Sequence, residues 1–326
     1  MAHSKSHWLE RLNAGLFTVP LGLFTLSSAW RRAIGFGWDV AAEISNGLLW
    51  LATGLWIALW LFYLVKLARH PQSVLTEYLN HVQISLMALM PLSTLMFVII
   101  LGQPASAAWL ALTLFALALQ LTISARVVSL LSHGQLENHT VTPALYLPTV
   151  TGGFLGGIAL ANIGYAGWGA LLFGMGLAAW ALLEARVLNK LFHGPMPDAL
   201  RPIIGIEMAP PAAATLAAGA IWPGLPGEVL IVGLGIAAGP ILAVFLRYRW
   251  WHNAPFAVGF WSFAFPMAAL AGAVVEVVRR GHWPTQVGGI ALVIASSVIA
   301  ILFLRTLLLL ISGELLPQGQ TAGAKK

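Results

Sequence analysis

The sequence predicts an all-α integral membrane protein of ten transmembrane helices, set as five tandem helical hairpins. Three observations carry this prediction. Hydrophobic residues make up 59% of the 326-residue chain and charged residues 9%, against about 25% charged in an ordinary soluble domain. Apolar windows of the length a bilayer core demands, about 20 residues, follow one another with no gap large enough for a soluble domain. Five prolines, Pro20, Pro91, Pro148, Pro210 and Pro266, stand inside such windows, 71, 57, 62 and 56 residues apart. A single transmembrane domain is therefore expected over residues 1–326, with short tails at 1–12 and 312–326.

The first window, 13–30, needs a check. Lys5, Arg11, the apolar run Leu12 to Leu26 and then Ser27-Ser28-Ala29 imitate a cleavable signal peptide. Arg31 and Arg32 follow at once, however, and Pro20 belongs to the recurring set, so the window reads as the first transmembrane helix. Windows 41–65, 82–101 and 105–131 come next, the last two joined only around Gln103-Pro104. Windows 143–165 and 167–185 meet at Ala166. Links this short force antiparallel hairpins. Windows 203–222, 227–246, 256–278 and 285–311 complete the chain. All five central prolines fall in odd-numbered windows, while the even ones lack them apart from Pro240. The repeat unit is thus a hairpin of about 55–70 residues.

A proline inside a helix removes one backbone bond and kinks the helix. In hydrocarbon such a defect survives only against protein or a water-filled cavity. The odd helices are therefore expected to face inward and line a pore or substrate path. Five helices about 9 Å apart form a ring of radius about 7.7 Å. Subtracting roughly 5 Å for each helix leaves a hole about 5 Å across. Gly152, Gly153, Gly156, Gly157, Ala268 and Ala269 either widen that hole or let neighbouring helices approach closely.

Lysine and arginine set the orientation. Thirteen lie at span ends on the side of the N-terminus, including Lys66, Arg126, Arg201, Arg247 and Arg305, against four (Arg31, Arg32, Arg279, Arg280) on the other. Both termini are expected in the cytoplasm. The odd helices then run parallel, with five positive dipole ends and the basic loops at the cytoplasmic mouth, a field that concentrates anions. The carbonyls freed by the prolines oppose this preference. Glu207, inside the seventh window, is a candidate proton-coupling or pore carboxylate, or else a structural partner of Arg201. Glu43, Glu184 and Glu276 lie nearer span ends and read as structural.

Other chemistries find little support. The chain has no cysteine, which excludes disulfides, thiolate metal sites and cysteine nucleophiles. Its nine histidines lie outside the window cores, so no metal site is expected. Neither a phosphate-binding loop nor a placed Gly-x-Gly-x-x-Gly occurs, and no nucleophile is paired with a base. No cofactor and no enzymatic activity are expected. The net charge of +6 fits basic cytoplasmic loops better than a nucleic-acid partner. Most of the 14 tryptophans sit at window ends, as an interfacial belt requires.

Four stretches carry a resemblance: Gly15-Leu16-Phe17-Thr18-Val19-Pro20-Leu21-Gly22, Leu145-Tyr146-Leu147-Pro148-Thr149-Val150, Gly205-Ile206-Glu207-Met208-Ala209-Pro210 and Phe260-Trp261-Ser262-Phe263-Ala264-Phe265. In order and spacing they resemble the tellurite-resistance/dicarboxylate transporter family. That family includes bacterial TehA proteins, fungal malic acid permeases and plant slow-type anion channels. The resemblance implies a homotrimer whose protomers each hold a pore lined by the five odd helices. It also implies a phenylalanine plug in the ninth helix, a position matched by Phe265. Thr18 stands where relatives commonly carry glycine, and Glu207 where close bacterial relatives are often uncharged.

The expected function is an inner-membrane channel or channel-like permease for small inorganic or organic anions, closed by Phe265. The alternative is a proton-coupled C4-dicarboxylate carrier using Glu207. A membrane enzyme acting on lipid-soluble substrates is the third reading, and it lacks a catalytic constellation.

Overall fold

The computed structural model of the protein describes residues 8–135, 141–192 and 196–316. The basic residues Lys5, Lys325 and Lys326 lie outside the described residues, as do the outermost parts of both tails. All regular elements among the described residues are helical. The first long segment, α1 (Thr18–Ala33), has 16 residues and is entered through a 3-10 turn at Ala14–Phe17. Nine further segments are long and apolar enough to cross a membrane: α2 (Asp39–Arg69), α3 (Gln83–Leu101), α4 (Ala107–Ser132), α5 (Pro143–Asn162), α6 (Ala166–Lys190), α7 (Asp198–Ile221), α8 (Gly227–Leu246), α9 (Val258–Gly281) and α10 (Thr285–Ile311).

Burial alternates along the chain. In the apolar cores of α3, α5, α7 and α9, 72–89% of residues are buried, against 17–33% in α2, α4, α6, α8 and α10. Residues 14–27 are likewise buried throughout. The even-numbered helices are apolar on every side and present Trp50, Leu182, Leu246 and Ile311 outward, each at least 70% exposed. Water would not tolerate such a surface on a soluble domain, whereas lipid solvates it. The protein is a multi-pass membrane protein.

The buried segments pack in a cycle: α1 on α3, α3 on α5, α5 on α7, α7 on α9, and α9 back on α1. Each also packs on the exposed helix that follows it in sequence. Because lipid gives apolar helices no reason to prefer each other, close approach between them depends on small residues. A Cβ added to Gly153 would come within 2.8 Å of Gly176 backbone in α6, and one on Gly157 within 2.9 Å of the Gly169 carbonyl. Gly156 is filled by Leu117 and Leu172, and Gly152 by Gln120. These four glycines therefore serve helix contact and do not widen an axial hole. On the other side of the cycle, a Cβ on Gly22 of α1 would lie 2.7 Å from that of Ala264 in α9.

The prolines occupy junctions. Pro20 is the third residue of α1, just after its 3-10 turn. Pro91 follows the break at Ala88 that divides α3 into Gln83–Met87 and Leu89–Leu101. Pro148 sits in a π-helical turn, Leu147–Thr151, within α5. Pro210 and Pro266 stand in the first α-helical turns of α7 and α9, after 3-10 stretches at Asp198–Met208 and Val258–Phe263. The first N–H groups of an α-helical stretch have no acceptor within it, so a proline there removes little. The carbonyl of Ile206, four residues before Pro210, is taken up by the Ala209 N–H.

Polar side chains satisfy the irregular backbone. Gln120 of α4 donates through Nε2 to the carbonyls of Leu147 (3.0 Å) and Pro148 (2.6 Å), and Ser124 donates to Pro148 at 2.7 Å. Lys66 is fully buried in α2, paired with Glu77 and bonded to the Leu12 carbonyl. Glu77 also accepts from the Tyr63 hydroxyl at 3.0 Å. Lys66, one of the cations counted at the span ends, is thus neutralised inside the protein.

Candidate functional site

Two cavities lie inside the cycle, and both are lined by residues of all five buried segments and by none of the exposed helices. The larger, of about 220 Å³, is a vestibule at the N-terminal ends of these segments, with Gly15, Thr18, Leu86, Leu147, Ile206 and Ser262 in its wall. The smaller, of about 20 Å³, lies one to two turns further along the same helices, between residues such as Thr25, Met96, Leu155, Ala213 and Ala268. About one water-sized body fits there. Along α1 the lining residues include Thr18, Leu21, Thr25, Ser28 and Arg32, with Ala29 beside Ser28. Steps of three and four place them on one helix face, so the two cavities are successive levels along one axis.

Phe265 is the residue the two cavities share. It is the second residue of the α-helical part of α9, and its side chain is 5% exposed. Phe263, two residues earlier, points elsewhere: its ring meets that of Trp251 at 4.6 Å, and it presses on Gly205 of α7. Packing of α9 on α1 and α7 holds this register. Nearby, Ser262 donates to the Pro202 carbonyl at 2.5 Å, and Thr18 donates to the Trp261 carbonyl at 3.4 Å.

Pro266 lines the vestibule, while Pro20, Pro91, Pro148 and Pro210 are buried beside the cavities without lining either. Glu207 lines neither cavity. It is buried in the 3-10 half of α7, and its Oε1 has no hydrogen-bond partner among the described residues. Arg247 and Glu184 are the charged groups that act on it. Arg201 does not pair with it: that guanidinium binds Asp198 and stacks over Trp250 at 5.3 Å. Glu184 is engaged by the Tyr146 hydroxyl (2.8 Å) and the Trp180 indole N–H (3.0 Å).

Sequence reasoning overlooked Arg32. It lines the smaller cavity and is the charged side chain, among the described residues, that reaches either one. Its spacing from Thr18 along one helix face was the available signal. Gln120 was missed as well, although a glutamine within an apolar span is itself a sign of a backbone group to satisfy. Among the described residues no cluster of His, Asp and Glu is arranged to hold a metal ion.

Residues 11–311 match the SLAC1 family, described as voltage-dependent anion channel. The chain belongs to this family. It is 29% identical over 305 residues to the tellurite resistance protein TehA homolog of Haemophilus influenzae, covering 93% of this chain and 92% of that one. Two Arabidopsis thaliana proteins are also similar: S-type anion channel SLAH3, 26% identical over 83% of this chain, and S-type anion channel SLAH2, 24% over 80%. The chain spans 43% and 50% of these plant proteins, respectively. As a SLAC1 family member the protein is an anion channel or transporter of the membrane and not an enzyme.

Proposed function

We propose that the protein is a channel or channel-like permease that passes small inorganic or organic anions along the axis of the five buried segments, with Phe265 as its plug. In this reading α1 joins the nine longer segments as a tenth span, and the five proline-bearing spans form the inner ring. The protomer works in a homotrimer in the bacterial inner membrane, each copy with its own path and both termini cytoplasmic. One observation carries the proposal: two cavities, each walled by all five inner segments, meet at a single aromatic side chain. An apolar ring across so narrow a passage excludes water, and ions with it. No acidic side chain lines either cavity among the described residues. The decisive measurement is current across planar bilayers containing the purified protein, over a panel of anions. Large unitary anion currents support a channel, and their absence together with saturating uptake points to a carrier.

A second reading is a proton-coupled C4-dicarboxylate carrier, with a tie to tellurite resistance suggested by the name of the Haemophilus relative. Its support is the buried, unpartnered Oε1 of Glu207. The position of Glu207 outside both cavities favours the channel.

A further inference from the structure

We infer that Arg32 is an anion-binding residue of the conduction path, on the far side of Phe265 from the vestibule, with Glu276 as its resident counter-ion. The inference deepens the channel reading and rests on it. Arg32 closes the lining stripe of α1 and places a guanidinium in the wall of the smaller cavity. Three arginines share the one carboxylate of Glu276. Its Oε1 accepts from Arg279 Nη2 at 2.5 Å and Arg280 Nε at 2.6 Å. Arg280 is further committed to the carbonyls of Gly219 (2.7 Å) and Leu225 (3.0 Å).

Arg32 is held differently. Its Nη1 stands 3.6 Å from Glu276 Oε2, beyond good hydrogen-bond distance, and its side chain is 23% exposed against 4% for Glu276. Three positive groups against one negative leave the cluster with net positive charge, and the guanidinium of Arg32 keeps donors to offer. A guanidinium presents a planar fork suited to carboxylates and other small oxyanions, and its charge also attracts halides. Conduction requires a site attractive enough to fill and weak enough to empty. Glu276, paired with Arg32 at a loose 3.6 Å, tempers it in that way: an anion arriving past Phe265 competes with the carboxylate for the guanidinium, which goes back to Glu276 when the anion leaves. Arg31 next door has no such role, since it donates to the Ile100 carbonyl at 3.1 Å and lines neither cavity.

The test uses the full-length protein carrying Phe265→Ala, so that the plug does not mask the site. In planar bilayers under a potassium chloride gradient, adding Arg32→Gln is expected to lower the chloride-to-potassium permeability ratio roughly tenfold. Arg32→Lys is expected to restore most of that ratio, and Arg31→Gln to leave it unaltered. An unchanged reversal potential in Arg32→Gln overturns the inference. Because the chain has no cysteine, Ser28→Cys supplies a single thiol in the same cavity with Arg32 intact. Anionic methanethiosulfonate should modify it roughly tenfold faster than the cationic reagent, after correction for their reactivity with free thiol. Equal or reversed rates overturn the inference even if Arg32→Gln does not fold. Absence of anion current from Phe265→Ala itself counts against the channel reading, and the thiol rates then still decide whether Arg32 attracts anions.

Discussion

At the scale of the residue, Phe265 and Phe263 show how two neighbours on one helix acquire different roles. Phe265 touches both cavities, whereas Phe263 is spent on Trp251 and Gly205. Phe265→Ala is expected to raise anion conductance substantially with the sign of the permeant ion unchanged, and Phe265→Leu to raise it less, because leucine keeps more of the apolar plug. Phe263→Ala should instead lower stability by about 3–5 kcal/mol, the usual effect of truncating a buried aromatic residue. Single-channel recording and thermal melts in detergent check both; an open pore in Phe263→Ala would mean the gate is misassigned. For Glu207, which lines neither of the two cavities, the channel reading expects Glu207→Gln to leave the pH dependence of transport intact. Loss of that dependence in a folded protein would establish the carrier.

At the scale of the element, irregular inner segments rest on regular outer helices. In the π turn of α5 the Leu147 carbonyl accepts from the Gly152 N–H, and Gln120 adds a bond to it and one to the Pro148 carbonyl. Gln120→Leu fills similar space without donors; Leu147 keeps the Gly152 N–H and Pro148 keeps Ser124, so the expected cost is about 0.5–1.5 kcal/mol for each bond lost. Hydrogen exchange at the α5 backbone would localise the loss. The α5–α6 contact depends on backbone approach. Gly157→Val should force those helices apart and cost about 1–3 kcal/mol, read as a lower melting temperature, because the Gly169 carbonyl lies 2.9 Å from even a single added carbon and cannot yield as a side chain can. No measurable change would show that the two helices are not locked together.

At the scale of the whole molecule, five buried segments close a cycle and five exposed helices separate it from lipid. Topology and assembly belong to this scale. A cytoplasm-active reporter fused at the C-terminus should be active, and a periplasmic signal would overturn the orientation along with the parallel inner spans. Light scattering of the purified protein is expected to return the mass of a trimer; a stable monomer that still conducts would show that one chain suffices.

The sequence by itself determined the class and the inner–outer alternation, because each follows from local chemistry. Prolines such as Pro91 and Pro148 need shelter that only protein or a water-filled cavity provides, and uninterrupted apolar helices such as α10 tolerate lipid on every side. Phe265 was legible only through resemblance, since composition and spacing alone left it as core packing. The tertiary structure decided which face each segment turns to the axis. Segments apolar on nearly every side, such as α3 and α5, carry little periodic pattern from which a face can be read, and contact across the cycle chooses it. Hence the prolines lie at changes of helix type, not within uniform helices. Gly153 and Gly157 serve a helix interface, and Lys66, counted among the span-end cations, is cancelled by Glu77. Arg32, a flanking charge in the sequence, faces the smaller cavity, because a side chain's electrostatic role depends on the groups brought to it from distant parts of the chain, here Glu276.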